Sequence, residues 1–101
     1  MNKKIKSLSD KELLSSVKEL VKIERKTLHN IIEHLEEVNR RRVFADLGYS
    51  ILFVYLTKEL NYSPAAAYRR ISALKLVKKV PEARQLIREG KVNLTVAALV
   101  Q

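Results

Sequence analysis

The densest group of side chains able to do chemistry lies between Ser63 and Lys79. Its charged residues are Arg69, Arg70, Lys75, Lys78 and Lys79, with no acid among them, and Ser63, Tyr68 and Ser72 add hydroxyls. Guanidinium and ammonium groups gathered on one element neutralise phosphates and release their counterions, while helix-start amides hold phosphate oxygens. The chemistry that suits these residue types is recognition of a polyanion. Arg69 and Arg70 would meet phosphates or guanine edges, Tyr68 and Ser72 base edges or phosphates, and Ser63 the backbone. Lys75, Lys78 and Lys79 would supply a salt-sensitive attraction. The whole chain fits this reading, because 20 Lys and Arg against 11 Asp and Glu leave a net charge of +9 over 101 residues.

Other chemistries lack their residues. The chain has no cysteine, which removes disulfides, thiolate metal sites and a cysteine nucleophile together. The two histidines, His29 and His34, project about 140° apart around a helix and cannot chelate one metal ion as a pair. No nucleophile-base pair and no glycine-rich phosphate loop can be found in the sequence. The expectation is therefore a binding module with no catalytic residue, no metal site and no cofactor.

The cationic segment must be a helix to present one face, and its start is strongly marked. Ser63 supplies a capping hydroxyl and Pro64 stands at the first helical position, where its missing amide is no loss. With Ala67 as the buried reference at about 100° per residue, Ile71 and Leu74 share the inner stripe. Ala65, Arg69 and Ser72 then fall on the opposite face, with Tyr68 and Arg70 on its flanks. Upstream, Ser50 is positioned to cap a helix over Ile51 to Leu60. Asn61 and Tyr62 leave room only for a tight turn, and asparagine tolerates the left-handed backbone such a turn can require. This spacing resembles the DNA-binding helix-turn-helix, in which the first helix braces the second and the second enters the major groove. Leu56, Thr57, Leu60, Tyr62, Ala67 and Ile71 would form its internal core, with Asn61 standing where glycine is commonest. Pro64, Ala65 and Ala66 occupy places where a sequence reader carries polar side chains, so weak sequence specificity is expected.

The rest of the chain is helical punctuation. Ser9 and Glu12 are spaced as a capping box, and no Gly or Pro follows until Gly48, so a long amphipathic helix is expected over residues 10–47 after a basic tail at 1–9. Leu14, Val17, Val21, Leu28, Ile31, Leu35 and Val38 form a heptad seam along it, interrupted at Glu24. Either that seam packs along the later helices, with a bend near Arg25 to Thr27, or it pairs with a second copy as a coiled-coil homodimer. Arg40, Arg41 and Arg42 sit where the helix dipole favours cations. Residues 48–101 hold the helix-turn-helix, a short helix from Pro81 to Glu89 ended by Gly90, and a last helix capped by Thr95 that stops within two turns, as in part of a longer chain. The expected fold is all-α: a long N-terminal helix, a helix-turn-helix, then short C-terminal helices. The longest apolar run, Ile51 to Leu56, is far short of the ~20 residues that cross a bilayer, and no signal-peptide pattern follows Lys3, Lys4 and Lys6. A cytoplasmic protein is expected.

The run Leu47-Gly48-Tyr49-Ser50, with Leu60-Asn61-Tyr62-Ser63-Pro64-Ala65-Ala66-Ala67-Tyr68-Arg69-Arg70-Ile71, resembles the N-terminal helical region of bacterial proteins that carry an HNH endonuclease domain near their C-terminus. The long charged helix ending in Arg40-Arg41-Arg42 and the segment Gly90-Lys91-Val92-Asn93-Leu94 look like the same family, so the resemblance spans Leu8 to Gln101. Pro81 to Leu99 also resembles the helical region after the helix-turn-helix of ParB-type partition proteins. The resemblance implies a targeting or dimerisation region that binds DNA, with duplex as the expected form. The HNH catalytic unit would lie elsewhere, so this chain is not expected to cut DNA. The competing expectation is a protein-interaction or dimerisation module acting through the heptad helix.

Overall fold

The computed structural model describes residues 3–90. The expected helix after Thr95 lies outside them. Every regular element among the described residues is helical, as the punctuation predicts. In order they are α1 (Lys3–Lys6), α2 (Asp10–Arg41), a 3-10 turn (Val43–Leu47), α3 (Leu52–Val54) running into a π turn (Tyr55–Glu59), α4 (Pro64–Lys79) and α5 (Ala83–Arg88). The stretch read as a basic tail is thus partly helical, since α1 precedes the cap of α2.

α2 begins as its capping box requires. The Glu12 amide donates to the Ser9 hydroxyl at 3.1 Å and the Ser9 amide donates to the Glu12 carboxylate at 2.9 Å. That backbone bond lowers the Glu12 pKa below its ordinary value. The helix then runs 32 residues without interruption. At ~1.5 Å per residue this is about 48 Å, and the molecule measures 50 × 30 × 20 Å. One helix sets its long dimension.

The helix ends at the arginine run, short of the 10–47 bound, with Arg42 as its cap in the left-handed conformation at φ 54°. The reversal carries Phe44 into the core, where it is almost fully buried, and the following 3-10 turn is the part ended by Gly48 at φ 91°. The Arg42 guanidinium supports the turn from outside, 5.3 Å over the Phe44 ring and donating to the Ser50 carbonyl at 3.3 Å. Burial of one aromatic ring outweighs the roughly 1–2 kcal/mol that a left-handed non-glycine residue costs.

The core gathers Ile32 and Leu35 from α2, Phe44 from the turn, and Leu52 and Leu56 from α3 and its extension. Ala67, Ala73, Leu74 and Val77 come from α4, and Ile87 from α5. Leu28, Ile31 and Val38 pack against the same cluster. The heptad seam is therefore divided. Leu28, Ile31, Leu35 and Val38 serve the chain's own core, whereas Leu14 and Val17 are exposed and Val21 is half-buried. The C-terminal half of the seam thus packs against the chain's own helices, and its N-terminal half does not.

Across the bundle Arg84 of α5 bonds the Glu33 carboxylate and reaches Glu36 at 3.2 Å, with Glu33 and Glu36 both on α2. This contact joins α5 to α2 through residues far apart in sequence. Glu33 also takes His29 at 3.2 Å, and the His34 ring meets the Asn30 carbonyl at 2.6 Å, so both histidines have local helix partners.

Candidate nucleic-acid interface

The two helices and the turn between them are present as the spacing predicts, with one change in the first. Ile51, not Ser50, stands at the cap position before Leu52, and no side-chain cap bond is made there. After one α turn the helix widens at Tyr55–Glu59. There the Thr57 hydroxyl donates to the carbonyls of Phe53 at 3.1 Å and Val54 at 3.3 Å, a back-bonding that accompanies helix distortion. The Tyr49 hydroxyl donates to Glu59 at 2.8 Å, tying the preceding loop to the end of this element and raising the Tyr49 pKa.

The turn depends on Asn61, whose φ of 61° is left-handed. It lets the Tyr62 amide donate back to the Leu56 carbonyl at 3.0 Å and aims the chain into Ser63. Ser63 then accepts the Ala66 amide at 3.1 Å, with Pro64 at the first helical position. Of the expected internal core, Leu56 and Ala67 are fully buried, Thr57, Tyr62 and Ile71 are half-buried, and Leu60 is exposed.

The residues expected to contact nucleic acid do not share one surface. Ser63, Tyr68, Lys75, Lys78 and Lys79 are exposed and Arg69 is half-buried. Ser72 is not a surface residue: it is 1% exposed, inside α4's packing rather than on its outer face. The single-stripe reading assumes one neighbour. α4 has three, α2, α3 and α5, and Ala67, Ser72, Ala73, Leu74 and Val77 are buried around most of its circumference. A serine opposite the first buried stripe is therefore covered as well.

Arg70 is also turned inward. Its guanidinium lies 4.3 Å from the Tyr62 ring centroid and donates to the Ala66 carbonyl at 3.1 Å. It lines a groove with Glu24, Arg25, Thr27, Leu28 and Ile31 of α2, and its stack on Tyr62 ties α4 to the turn. Lys78 lines another groove with Glu33, Glu36, Glu37 and Arg40, where it sits near acids. The outward stripe of α4 is thus Pro64, Tyr68, Lys75 and Lys79, spaced as one helical face. Tyr68 is 54% exposed on it.

The acids that share the groove with Lys78 are already engaged. Arg40 grips Glu37 through two bonds, at 2.9 and 2.5 Å, and Arg41 adds a third at 2.6 Å. These bonds hold the Glu37 pKa down from 4.5 to about 2. Glu33 and Glu36 belong to Arg84. Among the described residues Lys58, Lys75 and Lys79 have no acidic partner, so their charge faces solvent.

Three structural features were not read from the sequence: the Arg84 bridge, the Arg70 stack on Tyr62 and the left-handed Arg42. Only the stack had a signal, a tyrosine in the turn and an arginine two helical turns later. Among the described residues no group of His, Asp or Glu is arranged to hold a metal ion, and no helix is long and apolar enough to cross a membrane. A scan against protein-family models and searches of curated proteins and of solved structures return no match.

Proposed function

We propose that the chain is a DNA-binding module of helix-turn-helix type with weak sequence specificity, serving in the cytoplasm as the targeting region of a longer HNH-type endonuclease. The observation that carries the reading is the outer face of α4, where Tyr68, Lys75 and Lys79 stand exposed beside the Ser63 cap with no acid among them. Lysines at that spacing reach phosphates along a duplex backbone, and the tyrosine offers a ring and a hydroxyl between them. Direct readout of bases is thin. Pro64 and Ala65 lead the exposed end, Ser72 is buried, and Tyr68 and Arg69 remain as the side chains able to meet base edges. Specificity then rests on few contacts, and most of the affinity is electrostatic.

The double variant Lys75→Ala, Lys79→Ala tests this directly. It should weaken binding to duplex DNA similarly across unrelated sequences, at unchanged helicity and unchanged melting temperature. Equal affinity for the variant and the parent chain would remove α4 from the interface.

A second reading, a protein-interaction or homodimerisation module, is favoured by a separate observation, the exposure of Leu14 and Val17 on the first half of α2. Sedimentation over a range of concentrations separates the two, since a dimer built on α2 changes mass with dilution and a monomeric DNA binder does not.

A further inference from the structure

The apolar stripe of α2 does not stop where the core stops. At about 100° per residue, Leu13, Leu14, Val17, Leu20 and Val21 continue the face that carries Leu28, Ile31 and Leu35. The α2 side chains that join the core begin at Leu28, whereas Leu14 is 66%, Val17 50% and Leu20 63% exposed. From Asp10 to Glu24 this amounts to about 20 Å of helix. A helix of that length is marginal in water by itself and draws most of its stability from covering its apolar face.

The charges around the stripe select what covers it. Asp10 and Lys11 stand at one end and Glu24 and Arg25 at the other, an acid followed by a base in each case. Both acids lie on the stripe itself, Asp10 about 60° and Glu24 about 20° around from Leu13. A parallel pair of copies would set each acid against its own counterpart. It would also drive the two cores, which cover this face from Leu28 onward, into one space. A head-to-tail pair centred on Val17 avoids both conflicts. Leu14 then lies opposite Leu20 and Leu13 opposite Val21, and the cores are carried to opposite ends. Asp10 and Lys11 of one copy come across from Glu24 and Arg25 of the other, so each acid has a base within reach.

We infer that two copies of the chain pair through the first half of α2, antiparallel about a two-fold axis at Val17. The contact is isologous, since the same patch serves on both sides. It buries on the order of 1,000 Å² in total, the low end for a specific interface, so the dimer dissociates on dilution. The end charges fix orientation more than affinity. The inference rests on the homodimerisation reading and deepens it; the DNA-binding reading concerns α4 and is independent.

Two measurements on the full chain test it. Sedimentation equilibrium should show a mass rising with concentration toward twice 11.6 kDa. Val17→Asp should weaken the association at least tenfold with the melting of α3, α4 and α5 unchanged. The sequence has no cysteine, so a Leu14→Cys chain and an isotopically labelled Leu20→Cys chain can be mixed and oxidised without competing thiols. Peptide mapping should find the mixed 14–20 disulfide in excess over 14–14 and 20–20. A dimer with 14–14 and 20–20 disulfides in excess overturns the antiparallel seam and leaves homodimerisation standing. A dimer indifferent to Val17→Asp places the contact elsewhere and overturns the seam as well. A monomer at every concentration, its stripe open or covered by its own chain, overturns both the inference and the homodimerisation reading.

Discussion

At the scale of single residues, the fold depends on a few side chains held in unusual states. Asn61 occupies the left-handed region in the turn that sets α4 against α3. A glycine there removes the strain, so Asn61→Gly should leave thermal stability unchanged or raised, while Asn61→Val should lose about 1–2 kcal/mol; equal melting temperatures for the two would contradict the turn geometry. Glu37 is a second such residue. Its pKa is depressed in the folded chain to about 2 by the hydrogen bonds of Arg40 and then Arg41. A group whose pKa falls on folding contributes stability above its ordinary value, and the contribution disappears as pH drops from 4.5 toward about 2. Carbon-detected titration of the Glu37 carboxyl should show the low midpoint, and Arg40→Ala with Arg41→Ala should return it to the ordinary range. A parent midpoint already near 4.5 would show that the arginines do not hold the carboxylate in solution.

At the scale of elements, α2 has two halves with different duties. Leu35→Asp places a charge in the shared core and should unfold the molecule, by a cost of several kcal/mol beyond the ~2–5 kcal/mol of removing a buried leucine. Val17→Asp, on the exposed half, should leave the melting of α3, α4 and α5 unchanged. Circular dichroism on both variants checks this, and loss of folding in both would mean that the stripe acts as one unit. This division explains how far the sequence could be read. Helix starts were legible at Ser9 and at Ser63-Pro64, because a cap is a local bargain between one hydroxyl and a nearby amide. The turn at Asn61 was legible for the same reason. The left-handed reversal at Arg42 and the 3-10 turn after it were not, because they are dictated by where Phe44 must go. Ser72 was misplaced because periodicity reports one buried stripe, and α4 is enclosed by three neighbours. The Arg84 bridge to Glu33 and Glu36 joins residues with no local relation, so no spacing rule reaches it.

At the scale of the whole molecule, charge is sorted rather than merely abundant. The acids of α2's second half are consumed by Arg84, Arg40 and Arg41. The lysines on the outer face of α4 are left to solvent, within a net charge of +9. On the proposed DNA-binding reading, such sorting would favour a polyanion at one face, with an affinity governed by counterion release. The most direct test is fluorescence anisotropy of a labelled duplex of about 25 base pairs, titrated with the chain at several salt concentrations. A module of this size should contact roughly 3–6 phosphates, giving a slope of log affinity against log salt of about −3 to −5. Lys75→Ala with Lys79→Ala should reduce its magnitude by about 2. No binding at low salt, or a slope untouched by the loss of both lysines, would contradict the assignment of α4 as the DNA-binding face.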